Sequence, residues 1–180
     1  GGYHSYLSYE LETMKNGFTI VEVIVYIAVL GIIGTSFLTV FLWGIKTYTK
    51  SQVIQETTWN AKRAIDTILQ ELREAENIYS PTTSGSQLSL ETTKYTTPGH
   101  LTSFVDFFLC EEKLCFKREL QPAVVLTSNN VRVTQLLFQE VRTGLTRPSA
   151  QVTLRVEYKN PNNRPELSSL VELSSAASVR

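Results

Sequence analysis

Few side chains in this chain have types and spacings suited to chemistry, and the first of them is a carboxylate in a costly place. In "MKNGFTIVEVIVYIAVLGIIG", residues 14–34, Glu22 stands at the edge of a run that is otherwise apolar. Residues 23–45 contain no Asp, Glu, Lys or Arg. A helix of that length rises roughly 34 Å, enough to cross a hydrocarbon core of about 30 Å. A carboxylate at the bilayer centre costs about 2.5 to 3.5 kcal/mol, and less toward the edge, so Glu22 is expected to be shallow, partnered, or both. Two readings stay open. Glu22 is either a functional intramembrane acid, or the last polar residue before the span, facing headgroups and favourably placed at a helix N-terminus.

Other chemistry thins out. His4 and His100 are isolated, and a zinc site built from His100, Cys110 and Cys115 would lack a fourth ligand and a paired ligand spacing. No metal and no cofactor are therefore expected. There is no G-x-S-x-G, phosphate loop or dinucleotide fingerprint, so no catalytic residue is assigned and the chain reads as non-enzymatic. Glu111 and Glu112 read as a solvated hairpin tip. With 17 basic and 17 acidic residues the chain is formally neutral, and no basic stripe points to nucleic acid. "NPNNRP", residues 160–165, is a turn cluster of the kind that can also bind partners.

The elements that must position these groups can be read from periodicity. A secretory signal peptide fits the apolar run poorly, because the run continues through "FLTVFLWGIK" where a small-residue cleavage site would fall. Beyond it, Ala61, Ile65, Ile68, Leu72, Ala75 and Tyr79 recur at spacings of four and three, with Lys62, Arg63, Asp66, Gln70, Glu71, Arg73 and Glu74 on other faces. The spacing predicts one helix over about 18–77, with an irregularity between Thr47 and Trp59; a coiled coil is disfavoured by so few heptads. Strands are expected at 87–91, 103–110, 114–120, 131–133, 136–142, 152–158 and 170–174. If Glu112 and Lys113 form a two-residue turn, Val105 pairs with Leu120, Leu109 with Phe116, and Cys110 with Cys115. Val105, Phe107, Leu109, Leu114, Phe116 and Leu120 then share the core face. The opposed cysteines would lie within disulfide range, the alternative being two free thiols. The expected architecture is α+β: a long N-terminal helix, its first half membrane-spanning, packed on a small, largely antiparallel sheet domain. Gly31 and Thr35 form a small-xxx-small pair that could admit a neighbouring helix or be incidental.

"KNGFTIVEVIVYIAVLGIIG" resembles the N-terminal motif of type IV prepilins and the pilin-like proteins (pseudopilins) of type II secretion and competence systems. The shared features are a basic leader ending in Gly, then Phe, Thr, two aliphatics, Glu and a long apolar helix. The resemblance implies that prepilin peptidase cuts between Gly17 and Phe18 and methylates the new amine. It also implies that Glu22 pairs with a neighbouring subunit's N-terminal amine during assembly. The implied partners are that peptidase, other pilin or pseudopilin subunits, an assembly platform and membrane lipid. Lys15 on one side of the span against Lys46 and Lys50 on the other leaves orientation undecided. The resemblance places the leader in the bacterial cytoplasm and the C-terminal domain outside a single-pass anchor in the cytoplasmic membrane.

The implied organisation is a leader at 1–17, a transmembrane half-helix at 18–45, an amphipathic half at 46–79 and a β-rich domain at 80–180. The chain does not open on Met, so the expectation is either a long leader or a start at Met14, with residues 1–13 carrying no function. The span lacks the proline found in many major pilins, which favours a minor subunit with a straighter helix. The stretches "VVLTSNNVRVTQLLFQEV" and "ELSSAASVR" loosely resemble minor pseudopilins and carry no site residues. The rival reading is a signal-anchored surface module that binds or catalyses and belongs to no filament.

Overall fold

Residues 20–74 form one uninterrupted α-helix, α1 (Ile20–Glu74), in the computed structural model, which describes residues 17–81, 84–96, 98–141 and 147–180. The expected irregularity between Thr47 and Trp59 is absent. The threonines there turn their hydroxyls onto their own helix: Thr49 Oγ1 donates to Ile45 O at 3.1 Å and Thr57 Oγ1 to Val53 O at 2.8 Å. Polar groups that compete with a helix elsewhere are thus absorbed by it. The chain divides into two units, up to Gly44 and from Ile45 onward.

In the second unit, α1 presents Val53, Thr57, Ala61, Ala64, Ile65, Ile68, Leu69 and Leu72 as its buried face. It ends at Glu74, earlier than the stripe predicts. Ala75 is buried just past the end, and β1 (Asn77–Ser80) follows. Strand alternation then puts Ile78 inside and leaves Tyr79 70% exposed, its ring edge-on to Phe104 with centroids 5.5 Å apart. Glu71, expected on a polar face, is buried: it accepts from Tyr95 Oη at 3.0 Å and lies 3.7 Å from Arg118.

Two antiparallel sheets replace the single sheet expected. The first orders β1, β3 (Leu88–Thr92), β4 (Ser103–Cys110), β5 (Lys113–Arg118) and β6 (Val124–Val125) as β1-β3-β4-β5-β6. The second orders β2 (Ser84–Gly85), β7 (Val131–Val141), β8 (Ser149–Tyr158) and β9 (Leu170–Ser178) as β2-β7-β8-β9. Their inner faces join the helix in one core through Leu88, Leu90, Val105, Phe107, Leu114, Val131, Phe138, Val152, Leu154 and Val156. The architecture is α+β, a long helix packed on antiparallel sheets.

Two strands read as 131–133 and 136–142 are one. Val131 and Val133 are buried, then Leu136 and Phe138, and the phase changes at a bulge between Val133 and Gln135. The extra residue breaks the alternation that a period-two reading relies on. Arg142 lies outside the described residues.

The β4–β5 hairpin turns at Glu111 and Glu112, one residue earlier than expected, with both residues at positive φ (50° and 60°). Those dihedrals match a primed two-residue turn, whose twist suits a hairpin but which non-glycine residues adopt at a cost. Cys110 therefore faces Lys113, Phe108 faces Cys115, Phe107 faces Phe116 and Val105 faces Arg118. The slip from the expected register is even, so the inner face keeps Val105, Phe107, Leu114 and Phe116. Leu109 is 37% exposed near the tip, and Leu120 leaves the strand at a φ of 61° and is 81% exposed. The tip is tied to the second sheet by Val133 N–H donating to Glu112 O at 2.7 Å.

Candidate functional site

Three backbone positions, Gly17 to Thr19, precede the first turn of α1. Thr19 caps it, its Oγ1 accepting the Glu22 N–H at 3.2 Å. Thr19-Ile20-Val21-Glu22 is thus a capping-box sequence, with the threonine half of the box formed. The Glu22 carboxylate is engaged one turn onward, where Tyr26 Oη donates to Oε1 at 3.3 Å. The Tyr26 ring also meets Phe18 edge to face, with centroids 6.1 Å apart. Phe18 and Glu22, singled out in the sequence, share Tyr26 as a neighbour. Tyr26 itself was missed, although its i+4 spacing from Glu22 is a legible signal.

Gly17 meets no constraint that demands glycine: a Cβ there would find nothing within 4 Å, and its φ lies outside the left-handed region. Fold alone does not account for that residue. Lys15 and the rest of the leader lie outside the described residues.

From Val23 to Ile45 no residue is buried; Ile24, Leu30, Phe37, Phe41 and Trp43 are all at least 60% exposed. Exposed apolar side chains all around a helix suit hydrocarbon or other helices, not water. The hydroxyls in this stretch bond within the helix, Thr35 to Gly31 O at 3.0 Å, Ser36 to Ile32 O at 2.8 Å and Thr39 to Thr35 O at 2.9 Å. Hydrocarbon requires that internal satisfaction. α1 is long and apolar enough to cross a membrane near the N-terminus of the chain.

The other sequence-derived groups lie in the second unit. Cys110 and Cys115 form a disulfide, with Cα atoms 5.9 Å apart, as diagonal and not directly opposed neighbours. That bond occupies both sulfurs of the weighed zinc set, and His100 is exposed. Among the described residues no three His, Cys, Asp or Glu side chains cluster as metal ligands. Closing so short a ring stabilises by about 2 kcal/mol in the chain-entropy model. Protein from its native compartment is expected to show neither thiol alkylated before reduction, and reduction should lower unfolding stability by about that amount. Two alkylatable thiols in the unreduced protein would contradict this.

Glu111 and Glu112 are exposed at the hairpin tip. The 160–165 loop borders an open groove of about 580 Å³ with Arg132, Glu157, Lys159 and Ser168. Arg132 donates from Nε and Nη2 to Glu157 Oε2 at 3.1 and 2.9 Å. Lys50 on α1 donates to the Ser168 and Pro165 carbonyls and fastens this loop. Glu56 and Asn60 hold the turn before β7, Asn60 Oδ1 accepting Ser128 N–H and Glu56 Oε1 accepting Asn130 Nδ2, each at 2.8 Å. In one exposed ion pair the Lys94 ammonium holds the Glu74 carboxyl below its ordinary range, and Glu74 raises Lys94. It joins α1 to the loop after β3 and lies apart from the groove.

Fold and helix start together define an α+β chain with one helix able to anchor it in a membrane. Comparisons with protein-family models, curated proteins and solved structures find no match.

Proposed function

We propose that this chain is a non-catalytic, minor pilin-like subunit, cut between Gly17 and Phe18 and assembled into, or priming, a filament of a type IV pilus, type II secretion or competence machine. In this reading it is a single-pass protein of the bacterial cytoplasmic membrane with its C-terminal domain outside. It meets prepilin peptidase, other subunits and an assembly platform.

The observation that carries the proposal is the ordered string "KNGFTIVE" at the head of a helix whose next turns are apolar and exposed on every side. Two further features support it. A glycine that its own chain does not require fits recognition by a peptidase. A carboxylate whose only side-chain donor among the described residues is one phenol, at 3.3 Å, retains capacity for a cation. The rival reading, a surface module anchored by the same helix, draws on the groove beside the 160–165 loop.

Intact-mass and N-terminal peptide analysis of protein from the native host tests the proposal. The mature chain is expected to begin at Phe18 with a methylated amine. A mature chain that retains Lys15, or one cut beyond Ile45, would refute it. Genes for an assembly ATPase, a polytopic platform protein and other chains with this motif should lie in the same genome; their absence would favour the rival.

A further inference from the structure

Glu22 and Tyr26 are one helical turn apart and so share a face at the start of α1, and Phe18, just before the helix, meets the Tyr26 ring. Helical side chains lean toward the N-terminus, which lets a tyrosine at i+4 reach back over residue i. Tyr26 does so: its hydroxyl donates to Glu22 Oε1 at 3.3 Å while its ring packs edge-on to Phe18. Glu22 Oε2 has no side-chain partner among the described residues.

We infer that Tyr26 is a positioning residue for Glu22, pinning one carboxylate oxygen on the Phe18 side of the helix and leaving the other for a cation brought by a second subunit. The inference rests on the pilin-like reading and names the device that prepares its key carboxylate. A glutamate side chain free in a lipid environment samples several rotamers, and fixing it opposes any pairing step. A hydrogen bond made beforehand removes part of that entropic cost. It also gives the acid a donor while no amine is present, where an unpartnered carboxylate is most costly. The phenol suits this task because its ring is held by Phe18 and its hydroxyl has no other partner among the described residues.

Tyr26→Phe is the informative variant, because it keeps the ring against Phe18 and removes only the donor. In the native host it should be processed at Gly17 like the parent. Its recovery in sheared filaments, relative to processed protein in membranes, should fall about three- to tenfold, the scale of one hydrogen bond. In full-length protein in detergent, carboxyl-labelled at glutamate, infrared spectra should show one carboxylate band displaced by Tyr26→Phe. The displacement should be absent when Glu22→Gln is already present, a dependence that a purely packing role would not show. Parent-level recovery of Tyr26→Phe, beside a Glu22→Ala variant that fails to assemble, overturns the inference and leaves the filament reading standing. An unshifted carboxylate band overturns it as well. If Glu22→Ala assembles like the parent, the filament role of Glu22 fails, and the inference with it.

Discussion

Under the proposed function, Glu22→Ala is expected to leave membrane insertion, cleavage after Gly17 and folding of the second unit intact, and to reduce incorporation into filaments at least about a hundredfold. The carboxylate lies at the head of the apolar run, where an acid costs insertion little, and Glu22 is exposed and not a member of the hydrophobic core. Its value in the proposed assembly arises when a neighbouring N-terminal amine meets it away from water. There the attraction is strengthened, and removing one partner strands the other at a cost of about 3–5 kcal/mol. Glu22→Asp keeps the charge but shortens the reach and should be intermediate. Glu22→Gln keeps the shape and should resemble Ala. Quantitative recovery of each variant in sheared filaments, normalised to processed protein in membranes, reads the series; equal recovery of Gln and Glu would remove charge from the account.

Phe138→Ala is expected to lower unfolding stability of the second unit by about 3–5 kcal/mol, the usual cost of emptying a large aromatic site. Phe138 is fully buried on β7, paired with Val152 on β8 and flanked by Gly85 on β2. A domain with a typical stability of about 5–15 kcal/mol would lose a large share of it. Phe37 is the matched control: the same residue type, 73% exposed on α1 in the first unit. Phe37→Ala should leave denaturant unfolding of the second unit unchanged in the detergent-solubilised chain. A loss under about 1 kcal/mol for Phe138→Ala would contradict the core described here.

The sequence disclosed the parts of the fold that obey a single period. Ala61, Ile65, Ile68 and Leu72 follow helical spacing and are all buried on α1; Val152, Leu154 and Val156 alternate on β8 and are buried too. Where a period breaks, the reading failed. Tyr79 continued the helical count although the chain had turned into β1, where Ile78 takes the inward position. The bulge after Val133 inverted the alternation and split β7 in two. Glu111 at positive φ moved the hairpin turn by one residue, a choice against local preference that places Glu112 O within reach of Val133 N–H. Glu71 was assigned to water because it is charged, yet it is paired beneath Tyr95 and Arg118, partners distant in sequence. At the helix start, Gly17, Phe18 and Glu22 were legible as an ordered string. Tyr26 stands at a legible i+4 spacing from Glu22, but a tyrosine among apolar residues reads as one more membrane-facing aromatic until its hydroxyl is seen on the carboxylate.

The central claim is that Glu22 meets the amine of another subunit, and zero-length carbodiimide coupling in native filaments tests it most directly. Such coupling joins a carboxylate and an amine only where they already touch. Peptide mass spectrometry of sheared, coupled filaments is predicted to find an amide between the Glu22 side chain and the N-terminal residue of a neighbouring subunit. Filaments that contain this chain but yield Glu22 peptides without that link, while other subunit contacts are coupled, would contradict the account.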